Sequence, residues 1–215
     1  VFDLDKMKEF AEKVKRCLTG KAEICYAMKA NPFLIKPMLE IVSSLEVCSP
    51  GEFRICERAG IPMEKIVLSG VYKNPDDIAY MLDTYGNRGT YTVESLQHLE
   101  VLNDTAVRHG ITLSVLIRVT SGNQFGIDEA EIRKIISERE KYTGIEIEGI
   151  QFYSGTQKRN LSQMQEELKA YGTRIVAAAS SDEAIDDADL IITVTPSNKA
   201  LPYPQPLGVA VCRHD

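Results

Sequence analysis

Apolar positions along this 215-residue chain follow two alternating rhythms. Short β-branched runs at 23–29, 45–49, 66–69, 90–93, 113–119 and 147–153 read as strands. Stretches with apolar residues three or four apart, near 33–43, 51–59, 75–84, 94–109, 128–141 and 160–171, read as helices. An opening helix over 5–18 lines up Met7, Phe10, Ala11, Val14, Cys17 and Leu18 on one face, and Gly20 ends it. Pro50-Gly51, Asn74-Pro75 and Gly86-Asn87 supply turn chemistry between elements. Strands alternating with helices predict an α/β fold with a parallel sheet and crossover helices. Two more strands, at 173–178 and 190–195, flank a short acidic helix at 182–188. That makes eight strands, the number that closes a TIM-type (β/α)8 barrel, although ~250 residues is the usual length and no clear eighth helix follows. The expected division is a barrel portion over 1–165 and a segment over 166–215 that either completes the barrel or stands as a separate piece.

Composition narrows the class without naming a chemistry. Hydrophobic residues at 44% and charged residues at 26% are ordinary for a soluble globular protein. A formal net charge of -6 argues against a nucleic-acid surface, which needs clustered lysine and arginine. No apolar stretch approaches the ~20 residues that span a bilayer, and no leader pattern stands at the start, so a cytoplasmic location is the default expectation. Cys17, Cys25, Cys48, Cys56 and Cys212 show no paired spacing and read as reduced thiols, Cys25 and Cys48 as small buried hydrophobes in strands and Cys212 as a tail thiol. His98, His109 and His214 are scattered without metal-ligand spacing, so no metal site is expected.

Lys29 is the residue that raises a chemical question. It ends the apolar run Ile24-Cys25-Tyr26-Ala27-Met28 and is followed at once by Ala30-Asn31-Pro32. A lysine there either snorkels to water or, if buried, has a lowered pKa and acts as an amine nucleophile suited to a Schiff base. Position and composition leave both readings open.

Tyr26-Ala27-Met28-Lys29-Ala30-Asn31-Pro32 resembles the cofactor-lysine motif of fold-type III pyridoxal-phosphate (PLP) enzymes, the group of diaminopimelate, ornithine and related decarboxylases together with alanine racemase. Five later stretches are similar to that family's motifs in the same order. They are Leu45-Glu46-Val47-Cys48-Ser49-Pro50-Gly51-Glu52-Phe53, then Ile66-Val67-Leu68-Ser69-Gly70-Val71-Tyr72-Lys73, then Thr92-Val93-Glu94-Ser95. Leu116-Ile117-Arg118-Val119 with Gln124-Phe125-Gly126-Ile127, and Gly149-Ile150-Gln151-Phe152-Tyr153-Ser154-Gly155-Thr156-Gln157, complete the set over residues 1 to about 165.

The resemblance implies a PLP-binding barrel with its active site at the strand C-termini. In it Lys29 carries the cofactor as a Schiff base, Arg118 contacts the cofactor's phenolic side, and Tyr153 stacks on the pyridine where decarboxylases usually have histidine. Ser154, Gly155 and Thr156 are implied to touch phosphate. Two departures stand against full activity. Ala177-Ala178-Ala179 occupies the place of the phosphate-binding glycines, and Thr195 the place of a glutamate that pairs with the ring nitrogen. The family's carboxyl-terminal β domain, with its catalytic cysteine used across a dimer, is expected to be absent.

Residues about 173–207 carry a second resemblance, to the nucleotide-binding domain of the ornithine cyclodeaminase and mu-crystallin family, which would make 166–215 a Rossmann-like strand-helix-strand unit in a chimera. A Gly-x-Gly-x-x-Gly turn is missing, so NAD binding is not expected. The leading expectation is a PLP-dependent amino-acid decarboxylase-type barrel, incomplete for full catalysis. It takes a small amino-acid substrate, is not directed to nucleic acid or membrane, and has exposed surfaces suited to a homodimer. A non-catalytic PLP-binding or chimeric scaffold is the alternative, and an NAD-dependent ornithine cyclodeaminase fragment is the third reading.

Overall fold

The computed structural model describes residues 3–17, 23–122, 124–153, 190–192 and 210–212. They belong to two compact units. One comprises Val1–Tyr26, Leu34–Ser43 and Ser154–Asp215, the other Ala27–Phe33 and Ser44–Tyr153.

In the first unit, helix α1 (Leu4–Cys17) and the short helix α2 (Ile35–Leu39) are tied by Lys8 Nζ donating to Glu40 Oε2 at 2.7 Å. Strand β1 (Cys25–Ala27) leads from this unit into the second. Its expected range of 23–29 is cut short. Met28–Ala30 turns into a single 3-10 turn because Met28 is fully buried, with the Cys56 thiol 3.5 Å from its sulfur, and because Pro32 holds Asn31 extended at φ -162°.

The second unit is a run of strand-helix repeats: β2 (Ser44–Val47), α3 (Pro50–Arg58), β3 (Ile66–Leu68), α4 (Pro75–Tyr85), β4 (Thr90–Val93), α5 (Leu96–His109), β5 (Leu113–Val119), α6 (Glu129–Ser137) and β6 (Ile145–Phe152). Each helix starts where a polar side chain can take up an orphan amide. Ser49, Asn74, Ser95 and Asp128 accept from the N–H of Glu52, Asp76, His98 and Glu131, and Pro50 and Pro75 occupy first-turn positions whose N–H has no helical partner. The strands are parallel and lie in chain order, β1-β2-β3-β4-β5-β6. A sequential order is that of a (β/α)8 barrel, whereas a doubly wound sheet reverses order at a switch point.

The two sheet faces differ sharply. Leu113, Val115, Ile117 and Val119 of β5 are buried, while Ser114, Leu116 and Arg118 between them are half-buried. The same buried row runs through Val47, Leu68, Tyr91 and Val115 in register. The opposite row, Glu46, Val67, Thr90 and Ser114, is more polar. A β-bulge decides what β6 adds to it. Val115 pairs with Ile147 but Leu116 pairs with Gly149, so one extra residue reverses the alternation and sets Gln151 opposite Arg118.

On the outer layer, Glu57 of α3 accepts from the hydroxyls of Tyr80 and Tyr85 of α4 at 2.6 and 2.7 Å, and Arg54 caps the group from above the Tyr80 ring. The two phenols and Arg54 hold the Glu57 carboxyl below its usual range. Glu57→Ala is expected to lower stability by about 1 kcal/mol, read by urea unfolding, because it leaves two phenols to find water.

The seventh expected strand, at 173–178, lies outside the described residues, as do the helices expected at 160–171 and 182–188. At the eighth place Leu190–Ile192 forms strand β7, but it pairs antiparallel with Ala210–Cys212 (β8), a segment the sequence suggests is only a tail. The cyclodeaminase-like stretch and the boundary near 165 otherwise fall on undescribed residues.

Candidate active site

Strand periodicity brings a polar group to the C-terminal ends of β2 to β6. Thr92 shares its face with Arg118 through the register Thr92–Leu116, two residues before Arg118, and Gln151 stands opposite Arg118. Just beyond β4, Glu94 is buried, its side chain 1% exposed, and it accepts from Arg118 Nη1 at 2.9 Å and from the Gly70 amide at 2.6 Å. Arg118 itself is 16% exposed, and its guanidinium carbon lies 5.3 Å from the Phe125 ring centre and 5.8 Å from that of Tyr153. The resemblance implies a cofactor contact for Arg118. Here it pairs with a carboxylate in the interior, which holds the guanidinium beside two rings.

A second cluster lies deeper. Ser69 donates to Glu46 Oε1 at 2.9 Å, so the contact of 3.2 Å between Cys48 Sγ and Ser69 Oγ has the thiol as donor. Gln151 Nε2 also reaches Glu46 Oε1, at 3.4 Å. Two acceptors here, Glu46 Oε2 and Gln151 Oε1, are buried with no donor among the described residues. Such atoms are costly unless a further donor meets them. Burial, helped by Glu46, pushes the Cys48 thiol up, while its contact with Ser69 and, less strongly, the nearby Lys29 pull it back. Cys48 is therefore half-buried and hydrogen-bonded, not the inert core hydrophobe that its strand position suggests.

Lys29 is exposed on the 3-10 turn directly after β1. That location matches the solvent-reaching reading of the residue and keeps its amine accessible. Tyr153 is half-buried beside Arg118. Ser154, Gly155 and Thr156, expected at phosphate, lie outside the described residues, and so do Ala177, Ala178, Ala179 and Thr195. Among the described residues no helix is long and apolar enough to cross a membrane.

Three participants were not anticipated: Glu94, Lys73 and His98. His98 is buried, not on the surface as its helical segment suggests. Its Nδ1 accepts from the Glu94 amide at 3.3 Å and its Nε2 lies 2.9 Å from the Val71 carbonyl. An amide can only donate and a carbonyl only accept, so the ring is neutral with its proton on Nε2. Burial and the nearby Lys73 charge hold it below its usual 6.5. A base whose folded pKa is lowered favours the native state most when neutral, so its contribution is present above pH 6.5 and declines as pH falls below it. Wild type is expected to lose stability as pH falls below 6.5 more steeply than His98→Gln, in denaturant titrations at each pH.

Residues 2–187 match the family model Alanine racemase, N-terminal domain. The chain belongs to that family. Its fold is accordingly the TIM-type barrel of fold-type III PLP proteins, of which the six parallel strands are the described part. The chain is 31% identical over 186 residues to the diaminopimelate decarboxylase of Aquifex aeolicus (strain VF5), covering 79% of this chain and 44% of the relative. It superposes with a TM-score of 0.69 and 27% identity on diaminopimelate decarboxylase from Helicobacter pylori complexed with L-lysine, covering 79% of this chain and 47% of that one. SrLDC, solved in complex with PLP and cadaverine, shares the fold at a TM-score of 0.66 and 22% identity, over 78% of this chain and 43% of that one. The chain spans about half the length of the curated relatives it matches.

Proposed function

We propose that this alanine racemase-family chain binds PLP through Lys29 and serves removal of the α-carboxylate from a diamino acid of the diaminopimelate or lysine type. The observation that carries the reading is the Glu94–Arg118 pair, a guanidinium held by a buried carboxylate beside two aromatic rings at the strand ends, with Lys29 directly after β1. The described residues fit the cofactor. Lys29 offers an accessible amine for its aldehyde, Arg118 a fixed cation for its phenolate oxygen, and Tyr153 an aromatic face for its ring. The orphaned Glu46 and Gln151 oxygens belong to a face that still has acceptors to offer. When bound, PLP supplies an electron sink for the charge left on the α-carbon.

The protein's own share of the work is positional. Glu94 holds Arg118 in place through its hydrogen bond, and the rings of Phe125 and Tyr153 lie beside the guanidinium. Release of labelled carbon dioxide from carboxyl-labelled diaminopimelate and lysine, with PLP present, tests the decarboxylase part. Release that needs both PLP and Lys29 supports it. A Lys29 adduct with no release from either substrate overturns the decarboxylase part and leaves a PLP-binding barrel.

A further inference from the structure

The loop between β3 and α4 is pinned by three side chains, and only one of them comes from the loop itself. Gly70 gives its N–H to Glu94 at 2.6 Å, His98 takes the Val71 carbonyl at 2.9 Å, and Lys73 donates to the Gly70 carbonyl at 2.7 Å. Gly70 thus has both of its backbone polar groups held, one on each side of its α-carbon. Its φ of +96° is a conformation that glycine takes freely and that ordinary residues rarely adopt. Lys73 is half-buried, close enough to Glu94 and Arg118 for their charges to act on it, and burial pushes it down to about 8. Desolvating a lysine there costs free energy, which its hydrogen bond to the Gly70 carbonyl partly offsets.

We infer that Lys73 is a positioning residue for Arg118. It holds the Gly70 carbonyl, Gly70 in that pose presents its N–H to Glu94, and Glu94 so fixed sets the guanidinium. The relay runs Lys73, Gly70, Glu94, Arg118, over three hydrogen bonds of 2.7, 2.6 and 2.9 Å. Its purpose, a fixed Arg118 for the cofactor, rests on the PLP reading. The relay itself is a property of the protein without cofactor.

Two readouts separate these claims. In the cofactor-free protein, a double-mutant cycle between Lys73→Met and Arg118→Met in urea unfolding is expected to show coupling of about fivefold or more in the folding equilibrium. Lys73→Met combined with Arg133→Met on the exposed face of α6 should be additive. In PLP titrations followed by absorbance, Lys73→Met is expected to weaken binding about tenfold in the wild-type background and less than twofold in Arg118→Met. Additivity of Lys73 and Arg118 in unfolding overturns the relay. Coupling in unfolding with equal PLP losses in both backgrounds overturns its role toward the cofactor. Coupling in unfolding, with wild type failing to take up PLP at all, keeps the relay and rejects the PLP reading.

Discussion

Glu94→Leu is expected to be among the most damaging single substitutions in this chain, costing about 3–5 kcal/mol of stability. The side chain is 1% exposed and satisfies two donors that have no other described partner of equal quality, the Gly70 amide and Arg118 Nη1. Removing it leaves a guanidinium charge and an amide stranded in the interior. Glu94→Gln keeps one acceptor oxygen and nearly the same volume, so it should fold with a smaller loss of about 1–2 kcal/mol while still releasing Arg118. Urea unfolding of the two variants checks the order. PLP titration of Glu94→Gln should show weakened binding despite a folded protein, which separates the site's geometry from the fold's integrity.

Gly70→Ala is the second large effect. A Cβ there would lie 2.3 Å from the Cys48 carbonyl oxygen and 2.9 Å from its carbon, both backbone atoms that no rotamer change can move. The positive φ adds strain to the clash. The expected cost is about 3 kcal/mol, and the loop must shift to accept the methyl. That shift carries the Gly70 N–H away from Glu94, so Gly70→Ala should also reproduce the PLP defect of Glu94→Gln. Thermal unfolding and PLP titration on one preparation read both consequences. A stable Gly70→Ala protein with wild-type PLP affinity would contradict the geometry of this turn.

The parts of the fold that a sequence can reveal are those set by local periodicity. Strands 90–93 and 113–119 have the same bounds in sequence and structure, since Leu113-Ser114-Val115-Leu116-Ile117-Arg118-Val119 alternates cleanly between a helix-covered face and an open one. Ser49, Ser95 and Asp128 stand where their helices begin because capping is also a local rule. The end of β1 was not legible, because the turn at Met28–Ala30 depends on the contact of Met28 with Cys56, 28 residues away. The bulge in β6 was nearly as hidden. Only Gly149, an isolated glycine inside a strand pattern, hints at where the register slips, and that slip aligns Gln151 with Arg118.

The site divides the same way. Lys29 stood out because it carries a charge at the end of an apolar run, and Arg118 through the motif resemblance at Leu116-Ile117-Arg118-Val119. Glu94 has the same signature after Thr90-Tyr91-Thr92-Val93, and that signal alone would have found it. His98 was recoverable too, since it lies four residues before Leu102 and shares the buried helix face with Thr105 and Ala106. Lys73 had no such signal. It lies in a turn, and its role depends on a neighbouring carbonyl and on charges contributed by later strands.

The most direct test of the account is the site of the PLP adduct. Wild type and Lys29→Ala are incubated with PLP, reduced with borohydride and digested, and the peptides are mapped by mass. The account predicts one dominant reduced adduct on the peptide carrying Lys29, abolished in Lys29→Ala, with saturable uptake weakened by Arg118→Met. An adduct spread over surface lysines and unchanged in Lys29→Ala, or none above background, would contradict it.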